Sequence, residues 1–520
     1  MNYRVITGML IARTAVHIGS GEENALTDAL LRRDVEGKPL IPGTAIAGAL
    51  RAMLTRLSPM LGGETCAALQ DSGDPCNCPV CHLFGDINPS DKDVSSSTAS
   101  NLLVFNASVI GDVSQTIIRD GVGIDRVTGA SAGAAKFDME VMPPGSQFEL
   151  RMELRGTDQK DELLLAAALA EWKEGRVWLG GRVARGLGAF DLREIEYKTH
   201  SLDTADDLLA FLRSEEPWNL ANAEEDWIDK HVASIRISPF GDLNNHVTKS
   251  WVTIEGTLQS EGALLTSDSL VSGLYGFDHA PLLAQLGDWK HPVLTGAGLR
   301  GVIRSHGERI ARTLATLNAD NEVFLKKCPA CNPLEGKIGE PLPSCDSLLK
   351  KAKHSSKTEV KDNDLCLACR LFGSTRRGSR FIVEDAPYES TPEQKEPVLK
   401  ILDFLAIDRF TGGGAESLKF DALTLWKPAF SLRLHLDNPA EWEIGWLMFV
   451  LRDMADGWLS VGAGTTKGLG RVKLVDWSLR FGYLRPEDSL STSNLGPSSK
   501  DGIYNTVTLD PKTKDWLELA

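Results

Sequence analysis

The sequence predicts an α+β protein built as a tandem duplication. Corresponding motifs recur in the same order in both halves, strand-like alternation is mixed with amphipathic helical stretches, and 520 residues exceed what one hydrophobic core usually serves. The apolar share of 42% is ordinary for a globular chain, and the longest apolar runs fall well short of a membrane span, so no membrane partner is expected. At the amino terminus, Arg4 and Arg13 break the apolar stretch, which reads as a first strand rather than a signal peptide. The cytoplasm is the expected location. The formal charge of -15 argues against a protein that coats nucleic acid over its whole surface, because phosphate binding rests on positive potential. Binding of that kind has to be local, in a basic groove.

The first repeated marker is a glycine followed by a helix, IPGTAIAGALRAMLTRL at 41–57 against LTGAGLRGVIRSHGERI at 294–310. Ile46, Leu50, Met53, Leu57 and Leu61 form the apolar stripe of the first helix, and Leu299, Ile303, Ile310 and Leu314 that of the second. Gly43 with Thr44 and Gly296 open these helices, and Arg51 and Arg304 take equivalent places along them. The second marker is CPVCHLFG at 78–85 against CLACRLFG at 366–373. The third is GIDRVTG at 123–129 followed by KFD at 136–138, against AIDRFTG at 406–412 followed by KFD at 419–421, with identical spacing. The fourth is a glycine-rich turn, GGRVARGLGAFDL at 180–192 against VGAGTTKGLGRVKLV at 461–475. Strand-like alternation at 147–153 and 429–435, with an amphipathic helix at 162–172, completes the α+β reading. The modules therefore run over 1–195 and 235–483, joined by an acidic connector at 196–234 and followed by a flexible or partner-docked tail at 484–520, rich in Ser, Asn, Gly and Pro.

Nine cysteines, most in CxC or CxxC groups, fit metal ligation in a reducing compartment better than a disulfide framework. In the second module Cys328, Cys331, Cys366 and Cys369 supply four thiolates in the grouping that tetrahedral zinc prefers, with Cys345 left over. In the first, Cys76, Cys78 and Cys81 give three ligands, and the fourth is Cys66 or His82. A closed four-ligand site leaves no position for water, so both would be structural; unligated thiols are the plain alternative.

The IDRxTG and KFD elements flank a stretch that cannot build a core, which marks an exposed hairpin. Arg126, Lys136, Arg409 and Lys419 suit phosphates there, and Phe137 and Phe420 suit base faces; an ordinary surface ion pair is the bland reading of Asp125 with Arg126. The glycine-rich turns carry Arg182, Arg185 and Lys467 on a backbone that can approach a ligand closely, although a simple hairpin turn explains such glycines equally well. In the loop after each module's first strand, Asp28 and Asp278 stand among polar and glycine residues, where a carboxylate beside RNA can orient a divalent ion or help deprotonate a 2′-hydroxyl.

As an ordered set, these motifs resemble the RAMP superfamily backbone subunits of type III CRISPR-Cas effectors, of the Csm-three or Cas-seven type. Two copies in one chain resemble the fused double-module subunit of type III-D variant complexes. The resemblance implies a ferredoxin-like, RNA-recognition-motif-like fold per module, with a zinc-binding insertion and a thumb hairpin at the IDRxTG-to-KFD stretch. It implies guide RNA held at the helix starts and glycine-rich turns, through Gly43, Thr44, Arg51, Arg182 and Arg185 and through Gly296, Arg300, Arg304 and Lys467. It further implies paired target RNA, partner effector subunits, and cleavage by a loop aspartate with magnesium or manganese. Asp28 matches that aspartate; Asp278 matches it in the second module, with Asp268 as a rival. Ala47 stands where the family usually has a lysine on the guide-binding helix, leaving Arg51 to carry more of that contact. Two alternatives remain: a guide-binding spacer without nuclease activity, and a guide-processing endoribonuclease that would need a histidine base such as His17 or His306.

Overall fold

The computed structural model describes residues 2–24, 27–61, 63, 76, 78–86, 97–111, 116–125, 131–156, 158–237, 250–267, 276–286, 289–318, 328–332, 343–352, 360–392, 394–485 and 498–509. The framework of the first module runs strand, helix, strand, strand, helix, strand: Asn2–Ala12, Gly43–Leu57, Leu102–Val104, Gln147–Leu154, Gln159–Lys173 and Phe190–Ser201. The second repeats it with Ser250–Ser260, Gly296–Asn318, Phe381–Val383, Ala429–Asp437, Glu441–Ala455 and Val472–Tyr483. In both sheets the first strand lies between the third and fourth, and the second strand lies outside the third. All these pairings are antiparallel. This is the ferredoxin-like arrangement, present twice.

Local sequence accounts for the elements. Phe148, Leu150, Met152 and Leu154 alternate inward along Gln147–Leu154, and Ile46, Leu50, Leu54 and Leu57 bury one face of Gly43–Leu57. Asp158 caps Gln159–Lys173, its carboxylate accepting from the Lys160 N–H. That helix is buried almost all round, Leu163 through Ala170, because the sheet covers one side and the helix Trp227–Ile237 packs on the other. Both first strands carry a register shift at the same glycine, Gly8 between Thr7 and Met9 and Gly256 between Glu255 and Thr257.

Each framework carries two insertions at the same places. A cysteine segment follows the first helix, and a long antiparallel hairpin joins the second and third strands, Ile117–Ile124 with Ser131–Val141 and Leu399–Ile407 with Gly414–Trp426. In the second hairpin the carboxylate of Asp408 accepts from the N–H groups of Phe410 and Thr411, both at 2.8 Å, which closes the tip. The aspartate of the second IDRxTG copy, Asp408, is thus a turn former.

The structure differs from the expected boundaries. The last strand of the first module runs to Ser201, and the connector is folded onto that module: Asn222–Ala223 adds an edge strand, and Trp227 stacks on Tyr197 at 4.0 Å. Within the expected tail, Ser499–Asp501 and Tyr504–Leu509 form a hairpin on the edge of the second sheet. The reason is burial: Ile503 and Tyr504, with Trp251, insert into the core of the first module. Arg176, itself buried, lies over Trp251 and Tyr504 and pairs with Glu171 and Asp501. No helix among the described residues is long and apolar enough to cross a membrane.

The modules also meet through their motifs. Arg13 binds Glu384 in a fork at 2.8 and 3.0 Å, Arg119 pairs with Asp385, and the Asp385 N–H donates to the Gly186 carbonyl. Gly186 has φ 102°, and a β-carbon on it would lie 2.6 Å from the Asp385 carboxylate and 2.9 Å from Gly296 Cα. This glycine therefore serves the contact between modules.

Candidate functional site

The loop after the first strand and the inner strand of the hairpin come together in each module. In the first, the Asp28 N–H donates to Asp138 Oδ1 at 2.9 Å, and the Asp138 N–H donates to Asp28 Oδ2 at 3.0 Å. The second has the same reciprocal pair between Asp278 and Asp421, at 2.9 and 3.0 Å. Asp28 and Asp278 are exposed, whereas Asp138 and Asp421 are half-buried. Past Asp28 the loop is anchored further by Glu140, whose carboxylate accepts from the Leu31 N–H and the Thr116 hydroxyl and pairs with Arg33. Burial alone would raise its pKa, but Thr116, Leu31 and Arg33 outweigh burial and bring it down.

A cation over an aromatic ring stands beside each pair. The Arg182 guanidinium lies 4.0 Å above the Phe137 ring, and Lys467 Nζ lies 4.2 Å above Phe420. Burial and the neighbouring Arg185 push the Arg182 pKa down, against the pull of Asp28. Loop aspartate, hairpin aspartate, aromatic ring and glycine-turn cation thus form one constellation, made twice.

Several expected contacts have other occupations. Lys136 pairs with the half-buried Asp120, and Lys419 with Asp403 in an exposed ion pair of little energetic weight, both across the hairpins. Arg409 is exposed near the hairpin tip, and so is Thr44 at the first helix start. At the helix starts, the Gly43 N–H is bound by Asn106 and the Gly296 N–H by Asp385. A β-carbon on either glycine would lie 2.1–2.2 Å from a strand carbonyl, that of Val104 or Val383. These glycines let helix and strand pack. Arg51 donates to the Cys81 thiol at 3.2 Å, and Arg304, buried, donates to Glu308, to the Gly373 carbonyl and to Cys369. Both arginines brace the cysteine segments. His17 is buried with its Nδ1 at 2.8 Å from the Glu140 carbonyl, and His306 contacts Asp453 through Nε2 and Arg309 through Nδ1.

In the second module the thiols of Cys331, Cys345, Cys366 and Cys369 lie within 4.8 Å of one another. Cys345 thus takes the place expected for Cys328, whose thiol turns to the Ala330 carbonyl at 3.1 Å. Hydrogen bonding among these crowded thiols pulls the Cys366 pKa down and drives that of Cys369 up. Cys76, Cys78 and Cys81 form a second group in the first module. His82 is bound through Nδ1 to Asp161, which raises its pKa. Cys66, Arg126 and Asp268 lie outside the described residues. Both groups could hold a metal such as zinc, four thiolates in the second case completing a tetrahedral shell.

Between the modules, beside the second cysteine group, lies a cavity of about 820 Å³. Among the described residues, Arg185, Arg300, Arg304, Lys350, Lys351 and Arg377 line it, against the one carboxylate of Asp346. It supplies locally basic ground in an acidic chain.

Sequence reasoning missed Asp138, Asp421, Glu140 and Cys345. The first two were visible inside KFD, and the same tripeptide in both halves was the available signal.

A family model for the RAMP superfamily matches residues 10–191 and 281–473. The CRISPR system Cms endoribonuclease Csm3 of Methanocaldococcus jannaschii is 25% identical over 199 residues, covering 37% of this chain and 79% of that protein. The protein of the same name from Methanothermobacter thermautotrophicus is 32% identical over 104 residues, covering 19% of this chain and 37% of that protein.

Proposed function

Because the chain belongs to the RAMP superfamily through both of its halves, we propose that it is a backbone subunit of an RNA-guided CRISPR effector that carries guide RNA and cleaves the target RNA paired to it. The observation that carries this reading is the doubled constellation around Asp28 and Asp278, each beside a hairpin aromatic and a cation. Two such units in one chain favour the fused subunit of type III-D variant complexes, working with other effector subunits in the cytoplasm. Base pairing would choose the target, so the protein needs contacts to phosphates and base faces. The cavity at the module junction, with Arg185 and Arg300, suits the phosphates, and exposed Phe410 near the second hairpin tip suits a base face.

In the reaction, the loop carboxylate would take the proton of a target 2′-hydroxyl as that oxygen attacks the adjacent phosphorus. The bond to the 5′-oxygen then breaks and that oxygen takes a proton from water, leaving a cyclic phosphate and a 5′-hydroxyl. Among the described residues, Asp28 Oδ1 and Asp278 Oδ1 have no protein donor. These hard oxygens fit magnesium or manganese, which when bound would neutralise charge at the phosphate. Zinc in the cysteine groups would be structural.

Target cleavage by Asp28→Ala, Asp278→Ala and the double variant in the assembled complex tests the reading. Each single variant is expected to lose one cut and the double variant both, with target binding unchanged. Survival of every product in the double variant would leave the chain a guide-binding spacer.

A further inference from the structure

We infer that Asp138 and Asp421 are positioning residues, each holding the loop carboxylate of its module in a reciprocal clasp that ties the loop to the hairpin. The inference rests on the cleavage reading above and assigns a role to a second aspartate in each site.

Each clasp consists of two hydrogen bonds between residues far apart in sequence, Asp28 with Asp138 and Asp278 with Asp421. In each, the loop residue gives its N–H to the hairpin carboxylate and takes the hairpin N–H on its own. With Oδ2 held in this way, rotation of the loop carboxylate about its χ2 torsion is restricted, and Oδ1 is left without a protein donor among the described residues. The two backbone donors also offset the repulsion of carboxylates brought this close.

A purely structural fastening explains less. The loop residue is exposed in both modules, where hydrogen bonds add little to stability. The first loop is already fastened by Glu140, whereas the equivalent position of the second hairpin is Leu423, and the clasp is present in both. What the modules share is the clasp, the adjoining Phe137 or Phe420, and the cation above that ring. Among the described residues, the clasp also marks Asp278 as the counterpart of Asp28.

The assembled complex carries its own control, because a change in one module leaves the other intact. Asp138→Ala removes the acceptor for the Asp28 N–H and frees the loop carboxylate. The first-module cut is expected to slow by about 10- to 100-fold, while the second-module cut and target affinity stay as they are. Asp138→Asn keeps Oδ1 as acceptor and the backbone donor, so it is expected to restore most of the rate. Asp421→Ala and Asp421→Asn should reproduce the pattern at the other cut. If Asp138→Ala cuts like the native chain while Asp28→Ala does not, the inference fails and the cleavage reading stands. Equal loss in the Ala and Asn variants would make charge rather than the clasp the requirement, and overturns the inference too. If Asp28→Ala itself leaves both cuts intact, the cleavage reading fails.

Discussion

Arg182 adopts a left-handed backbone, φ 60° and ψ 27°, at the place where the second module has Gly464 with φ 72°. A side chain there costs about 1–2 kcal/mol, and the contact it secures is the guanidinium above Phe137. In the second module the corresponding cation comes from Lys467, aligned with Arg185 rather than with Arg182. The same contact is reached from two positions of the turn. Arg182→Gly is therefore expected to leave stability within about 1 kcal/mol of native, relief of strain offsetting the lost cation–π contact, while the first-module cut slows. Thermal denaturation and site-resolved cleavage check it; a large loss of stability with unchanged cleavage would make Arg182 a packing residue. At this scale the sequence revealed residue types better than partners. Arg182 and Phe137 were recognisable as a cation and an aromatic, but the bond between Asp28 and Asp138 joins residues 110 positions apart, and no local pattern encodes it.

The elements were more legible, because each strand and helix of the framework has its own period. Inward alternation along Gln147–Leu154 and the stripe on Gly43–Leu57 are local properties that any sheet or helix of that sequence would show. The packing of the connector was less legible because few of its apolar residues are buried: Leu208, Leu209 and Leu212 are exposed, and its attachment rests on Trp227, Val232 and Ile235. The second cysteine group was misread for a different reason. CxxC spacing couples Cys328 to Cys331, but the short helix Cys345–Lys351, capped by the Ser344 hydroxyl on the Ser347 N–H, delivers the Cys345 thiol into the group instead. A thiol delivered by its own capped helix would be held in place before a metal arrived. Cys345→Ser is expected to lose the second-module metal and to loosen that segment, whereas Cys328→Ser keeps the metal, as elemental analysis of the purified proteins would show. Metal lost from the Cys328 variant and kept in the Cys345 variant would restore the ligand set read from spacing.

Across the whole molecule, the junction between the modules depends on charges that their equivalent positions do not carry. Arg119 pairs with Asp385 and Arg13 with Glu384, all but Arg13 nearly or fully buried. By strand register, Arg119 corresponds to Leu402 of the second hairpin, and the Gly43 and Gly296 contacts match Asp385 with Asn106. The faces turned away from the junction therefore hold a leucine and an amide where the joined faces hold an ion pair. Burial drives the Asp385 pKa up, against the pull of Arg119 and the Gly296 N–H. Removing one member leaves the other charge buried and unpaired, which costs about 3–5 kcal/mol. Asp385→Ala is accordingly expected to lower stability by that order in chemical denaturation. Replacing both members by their counterparts, Arg119→Leu with Asp385→Asn, removes the unpaired charge and is expected to recover most of the loss. If the double variant is as unstable as Asp385→Ala, the ion pair itself holds the modules together, and hydrophobic and backbone contacts around Gly186, Trp251 and Tyr504 are not enough to keep them joined.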